Sequence, residues 1–498
     1  MRPLPILLAL AATACASTPA ATTPSPASAP GMVTVTSTVT TVGSPAGSTV
    51  TSTPAAPVAA LVPGAYSRPN ADPFPSTYTP FPSRPTVIQN VNIYTAAGPL
   101  IRNGAILLLD GKVAAVGATV NAPANAVVID GLGRYVTPGL IDTHSHLGVY
   151  PAPGTVAHSD GNEATSPVTA YVWAEHSVWP QDPQFPRDLA GGTTTIQVLP
   201  GSANLIGGRS TVLKVVPSRS VQGMKFPGAP YGLKMACGEN PKRVYATRGP
   251  STRMANVAGY RTAWIGAEQY RRKWDDWFAK REGDPPARDL NNETLAEVLR
   301  GNILVHNHCY QADEMMQMID IAKEFGYRIR SFHHGVEAYK IADVLAREGI
   351  SASIWSDWGG FKMEALDGIK ANVGLTHVAG ARTIVHSDDP SYSQRLNQEA
   401  AKSLAAARLI GLAISNEDAI RWITINAAWA LGIEDRTGSL EVGKNADLVL
   451  WSGDPFSVYS RPDRVWIDGA MLYDRLDASQ RWRTDFELGY VPNQGGIR

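Results

Sequence analysis

Gly139-Leu140-Ile141-Asp142-Thr143-His144-Ser145-His146 is an apolar run that ends in two histidines, and its reading decides the fold. On a strand, residues two apart share a face, so His144 and His146 would present two imidazoles about 7 Å apart on one side. Such a pair can hold a metal ion, since neutral imidazole is a common metal ligand. One His-x-His alone is weak evidence, but the figure recurs. Ile303-Leu304-Val305-His306-Asn307-His308 and Arg330-Ser331-Phe332-His333-His334-Gly335 end the same way, and Thr383-Ile384-Val385-His386-Ser387-Asp388-Asp389-Pro390 ends in carboxylates. Seven of the chain's 10 histidines fall in these four runs.

Outward from these runs, strands alternate with helical patterns from about residue 137 to 437. Residues 312–325, 337–347, 394–410 and 417–431 have helical spacing, and residues 350–355 read as a further strand. That alternation predicts an α/β fold, a (β/α)8 TIM barrel in which every strand's C-terminal end converges on one mouth. A doubly wound sheet competes, but no GxGxxG follows the first strand. Short alternating strands at residues 86–136 and 438–475 predict a small flanking β-sandwich domain built from both ends of the barrel.

A fifth run, Tyr231-Gly232-Leu233-Lys234-Met235-Ala236-Cys237-Gly238-Glu239, buries a lysine in an apolar strand. An unpaired ammonium is costly there. Lys234 could instead be carboxylated by CO2 and bridge two metals as an anion. Glu239 at the strand exit is the rival bridge, and pairing of Lys234 with a carboxylate is the structural alternative.

Lys+Arg is 44 and Asp+Glu is 44, so there is no net charge to draw the chain to nucleic acid or an anionic membrane. Three cysteines are too few for a disulfide scaffold. Residues 1–16 read as an export signal with an apolar core too short to span a bilayer. Ala12-Thr13-Ala14-Cys15 resembles a lipoprotein cleavage box, which makes Cys15 a candidate lipidation site, with simple cleavage nearby as the alternative. Residues 17–85 hold 14 of the 37 prolines and no charge before Arg68, the composition of a disordered spacer. Residues 476–498 form a tail. This predicts an exported protein of the bacterial cell envelope or periplasm, tethered to the membrane where Cys15 is lipidated; a homo-oligomer is left open.

The first run, preceded by Pro138, resembles the signature of the metal-dependent amidohydrolase superfamily, in its exported imidazolonepropionase-like branch. Gly438-Ser439-Leu440-Glu441-Val442-Gly443-Lys444-Asn445-Ala446-Asp447-Leu448-Val449 resembles that superfamily's return into its β-domain. The resemblance implies metal ligands at His144, His146, Lys234, His306, His334 and Asp388. His308 and His333 duplicate neighbouring positions and stay open as alternatives. It further implies two Zn2+ ions per chain, or one in a mononuclear variant. Hydrolysis of an amide-like C–N bond in a small molecule would proceed by attack of a metal-bound hydroxide, with Asp388 as general base and acid. An exported dipeptidase or carboxypeptidase would use the same site. A non-catalytic binding protein ranks lower, because all six ligand types are present. Between residues 241 and 288, the aromatic and basic stretch 259–281 reads as a substrate lid or, more simply, an amphipathic surface helix. Residues 204–209 read as a glycine-shaped turn at the mouth.

Overall fold

The computed structural model describes residues 67–483. The expected signal segment, Cys15, the spacer before residue 67 and the end of the tail lie outside the described residues. Strands β1 (Thr86–Ile93), β2 (Ile101–Leu109), β3 (Lys112–Gly117), β4 (Val127–Asp130) and β5 (Tyr135–Pro138) come first. The barrel strands follow: β6 (Leu140–Ser145), β7 (Thr193–Val198), β8 (Ile206–Lys214), β9 (Gly232–Ala236), β10 (Leu304–Cys309), β11 (Ile329–His334), β12 (Ser351–Ile354) and β13 (Arg382–Val385). The last are β14 (Leu448–Trp451), β15 (Pro462–Ile467) and β16 (Ala470–Asp474).

Strands β6 to β13 form an eight-stranded sheet in sequence order, which curls into a nearly closed TIM barrel. At the seam the Asp388 amide donates to the His144 carbonyl at 3.0 Å, so β6 and the exit of β13 meet at the mouth. The barrel departs from the all-parallel expectation at one strand. β8 runs antiparallel to both β7 and β9. The connection 199–205 is too short for the dozen or more residues that a parallel crossover needs, so the chain returns as a hairpin. Ile206 therefore begins a strand, which corrects the reading of 204–209 as a turn. Asn204 is buried, and its amide donates to the carbonyls of Glu163 and Ser166, both at 2.7 Å.

Strands from both ends of the chain join in a second eight-stranded sheet, in the order β16-β15-β14-β5-β1-β2-β3, with β4 also on β1. Ile88, Val91, Ile106, Val136, Leu448 and Trp466 pack together as its core. Burial of such side chains contributes roughly 1.5–3 kcal/mol each. At the junction to the barrel a Cβ on Gly139 would lie 2.1 Å from Thr194 Oγ1, so only glycine lets the strands approach.

The helices form where the spacing places them. Ala312–Phe325 ends at Gly326, whose φ of 73° closes the helix with a left-handed residue. The expected helix 417–431 is two, Asn416–Trp422 and Ile425–Leu431. The interruption frees the Ile423 carbonyl to accept from the Ile141 amide of β6 at 2.9 Å. The spacer reading is also corrected over residues 67–85. This stretch has no regular element through Arg84, but Arg209 donates to the Ala71 carbonyl at 2.6 Å and Tyr78 to Asp468 at 2.6 Å. Buried polar partners on the barrel and on the flanking sheet hold a segment too poor in large apolar residues to pack by itself. No helix among the described residues is long and apolar enough to cross a membrane.

Candidate metal centre

Strand pleat carries His144 and His146 to the same mouth, and both meet Asp388. His144 Nε2 and His146 Nε2 lie 3.3 and 3.2 Å from Asp388 Oδ1. His146 is oriented by its other ring nitrogen, which sits 3.0 Å from the Leu199 carbonyl. That arrangement leaves Nε2 free for a cation. Lys234 points into the same space, its Nζ 3.2 Å from His144 Nε2. It is buried, and among the described residues no carboxylate forms an ion pair with it. Burial lowers its pKa to about 7, against the pull of Asp388.

The duplicated histidines separate into two layers. His308 and His334 line a cavity of about 730 Å³ together with His144, His146 and Asp388. His306 and His333 lie beneath. The His306 ring sits deep enough that a Cβ on Gly232 would come within 2.8 Å of it. His306 Nδ1 is 2.9 Å from His333 Nε2, and His333 Nδ1 is 2.8 Å from His144 Nδ1. The expected ligand His306 therefore lies beneath the cavity, whereas His308, the alternative in its pair, lines it; each has one buried ring nitrogen without a hydrogen-bond partner among the described residues.

Consecutive residues on a strand face opposite ways, yet His333 and His334 both point inward. His334 has a φ of 71°, and Asp388 has 62°. Left-handed backbone at non-glycine residues is costly and tends to mark functional positions. Here it turns the last residue of β11 into the cavity. His386 Nε2 accepts from the His334 amide at 3.3 Å, which supports that turn.

Burial holds His144, His308 and His334 well below the usual imidazole pKa, with neighbouring Lys234 adding to the effect. His306 is pushed down to about 3 and His386 to about 4, again chiefly by burial. Neutral imidazoles are the form that ligates metal. The donors fit a divalent cation. The ligating atoms of His144, His146 and Asp388 all lie within 4.8 Å of one another, and the buried His308 Nδ1 has no hydrogen-bond partner among the described residues. Glu239 lines the cavity, but its carboxylate is 3.4 Å from Lys362 Nζ.

Residues 135–472 match the amidohydrolase family. The chain belongs to that family. It is 33% identical over 399 residues to amidohydrolase tasK of Hapsidospora irregularis, covering 75% of this chain but only 40% of that relative's length. It is 26% identical over 373 residues to an imidazolonepropionase of Mesorhizobium japonicum, covering 71% of this chain and 87% of the relative. A crystal structure of an amidohydrolase from Thermotoga maritima matches with a TM-score of 0.73 and 35% identity, over 78% of this chain and all of that one. The protein is a hydrolase acting on carbon–nitrogen bonds in small molecules, in a family that is generally metal-dependent.

Several cavity residues were not singled out by the sequence: Tyr150, Asn240, Arg243, Lys362 and the aromatic set Trp355, Trp358 and Phe361. The aromatic cluster directly after an apolar strand is the one signal that could have found them. The long helix Arg253–Lys280 is a surface helix and supplies no cavity residue. Its Tyr260 and Trp264 are buried, Trp264 4.3 Å from the Tyr327 ring, so the simpler of its two readings holds.

Proposed function

We propose that the protein is an exported, zinc-dependent amidohydrolase that cleaves an amide-like bond at the mouth of the barrel. The convergence of His144, His146 and Asp388 within 4.8 Å, on the lining of the large cavity, carries this reading. His144, His146, Lys234 and Asp388 would hold one ion, and Lys234, His308 and His334 a second, with carboxylated Lys234 as the bridge. Divalent cations held there would supply Lewis acidity to the scissile carbonyl and to the attacking water.

The chain's own residues do the rest. Asp388 Oδ1 stands beside two histidines, and Oδ2 is 3.8 Å from His334 Nδ1. From that position Asp388 accepts the proton of the attacking water and returns it to the departing nitrogen. Asp142 secures the position. It is buried and accepts from the Ser387 and His144 amides, both at 3.1 Å, tying the base's neighbour to the first ligand strand. Tyr310, Trp355 and Phe361 restrict water around the reacting bond.

Export through the segment 1–16, with lipidation at Cys15 as its membrane tether, belongs to the same reading. The Cys237–Cys309 disulfide supports it, because such bonds persist in oxidising compartments. The flanking sheet is read as a sandwich folded over its own core.

Metal content per chain, measured on protein prepared without chelator, tests the site. Two zinc ions, with amide hydrolysis abolished by chelation and restored by zinc, is the expected result. Absence of bound metal after incubation with zinc and bicarbonate would overturn it.

A further inference from the structure

The loop that follows β12 is turned inside out. Its charged side chains are held against the protein. Glu364 is buried, pairs with Arg253 and accepts from the Glu239 amide at 2.9 Å. Lys362 Nζ is 2.8 Å from Asn240 Oδ1 and 3.4 Å from Glu239 Oε1. The large apolar side chains face out instead: Phe361 is 56% exposed, Met363 75%, Leu366 62% and Ile369 40%. Met254 follows Arg253 in sequence and is 79% exposed, so the Arg253–Glu364 pair brings a fifth apolar side chain near this row. A lone exposed apolar residue is ordinary, but a row of them rimmed by charge marks an interaction surface.

The loop is not built to swing as a lid. The Gly360 amide donates to the Ala365 carbonyl at 2.7 Å, the Ala365 amide to the Lys362 carbonyl at 3.1 Å and the Leu366 amide to the Met363 carbonyl at 3.2 Å. Ala365 is buried beneath them. These bonds and the two anchored charges fix the apolar residues outward, so whatever covers them comes from outside.

Within this loop and the short helix Glu239–Val244 to which it is bonded, every carboxylate has a cation partner. Glu239 has Lys362, Glu364 has Arg253, Asp367 has Lys340 at 3.2 Å and Asp357 has Lys402 at 2.8 Å. Lys370, next to Ile369, and Lys242 and Arg243 on the helix have no ion pair among the described residues. The chain as a whole carries no net charge, so these partnerless cations are a local feature of the barrel mouth.

We infer that this face docks on an anionic lipid bilayer. Met254, Met363, Leu366 and Ile369 enter the headgroup boundary, and Lys242, Arg243 and Lys370 meet the lipid phosphates. Phe361 belongs to the row and also lines the cavity, so the cavity entrance turns toward the bilayer. The choice of a bilayer over another partner rests in part on the proposed tether at Cys15. Residues 16–66, which separate Cys15 from the described chain, would reach at most about 170 Å. A tether of that reach keeps the barrel beside the membrane and raises the effective concentration of a docking face.

The test uses the full chain carrying Cys15→Ser, so that no lipid is attached, and measures how much of it floats with vesicles. Vesicles of phosphatidylglycerol and phosphatidylcholine in equal parts should bind it roughly 10-fold more tightly than phosphatidylcholine alone. Met363→Ser/Leu366→Ser/Ile369→Ser in the same chain should lower binding to the mixed vesicles by roughly 10–100-fold at an unchanged Tm. Lys370→Glu should lower binding to the mixed vesicles only. All these chains share residues 1–66, so any contribution of that segment cancels. Equal binding of the parent and the triple variant would overturn the docking face. Where the triple variant has a lowered Tm, Lys370→Glu decides, and its binding the mixed vesicles as the parent does would overturn the inference. A dimer that the parent forms without lipid and the triple variant does not form would also overturn it, since the row would then cover a second copy. The tether fails separately: a mature exported wild-type chain whose mass shows no acyl groups would remove lipidation at Cys15 and leave the vesicle result standing.

Discussion

The Nδ1 atoms of His144 and His333 face each other at 2.8 Å, and this contact orders three buried rings. One Nδ1 must donate and the other accept. With Nε2 of His144 directed at the cation site, its Nδ1 carries the proton and donates to His333. His333 then holds its own proton on Nε2 and donates to His306 Nδ1, 2.9 Å away. The lower histidines thereby fix the tautomer of a ligand above them. His333→Phe should weaken zinc affinity by ~10–100-fold, the usual cost of losing such a partner. A competition titration with a chelating dye reads this directly, and unchanged affinity would remove the role.

Asp388→Asn keeps the shape of the side chain and removes its basicity. At saturating zinc the variant should still bind metal, while kcat falls by ~10²–10⁴, the range for loss of a general base. Elemental analysis alongside single-turnover rates checks both halves. An undiminished rate would assign proton transfer to another group.

Lys234 is the residue whose state depends most on pH near neutrality. Its pKa is lowered to about 7, so the amine is mostly neutral above that value and mostly protonated below it. Only the neutral amine attacks CO2. Reconstitution with zinc and bicarbonate should therefore give a higher metal content at pH 8 than at pH 6, and Lys234→Met should bind one ion fewer at pH 8 and lose the pH dependence. Equal content in wild type and variant would shift the bridge to Glu239.

Acid should destabilise the metal-free protein. His306 and His386, at about 3 and about 4, stay neutral in the folded chain, whereas an unfolded histidine takes up a proton below about 6.5. Between those limits the unfolded state binds more protons, so stability falls as pH falls, by up to ~1.4 kcal/mol per pH unit for each such residue. Burial raises five carboxyls, Asp142 to about 6, Glu314 to about 7 and Asp188, Glu364 and Asp447 upward, and these work in the opposite direction. They are outnumbered, because His144, His308, His333, His334 and His377 are lowered along with His306 and His386, seven groups against five. The Tm of chelator-treated protein should drop steadily from pH 6.5 to 4.5. A flat profile would contradict the buried neutral histidines.

The disulfide Cys237–Cys309 joins the exits of β9 and β10, where the Cys237 amide also donates to the His308 carbonyl at 2.9 Å. It closes a loop with a sequence separation of 72. Cys309→Ser should cost about 2–4 kcal/mol, read as a lower denaturation midpoint. Loss of zinc affinity in the same variant would show that the bond also holds His308 in place.

Much of the centre was legible as sequence, because pleat and spacing are local. His144 and His146 lie two apart on one strand and face the same way, and an apolar run ending in Asp388 marks a strand exit. Lys234 stands out because nothing in its own strand offsets its charge. The alternating texture of residues 137–437 was enough for a barrel. Other choices needed the folded chain. Whether His306 or His308 reaches the cavity depends on how far β10 extends past its neighbours. His334 turns inward only through a left-handed φ that no spacing rule foresees. β8 reverses because its connection is short. Arg243, on the short helix Glu239–Val244, and Lys362, on a loop, are distant in sequence, and only three-dimensional packing puts their charges in one cavity. The sequence by itself determined which residue types stand at the strand ends, through the period of two that every strand obeys. The tertiary structure decided which of them share a site, because that depends on register, strand direction and backbone strain summed over the whole barrel.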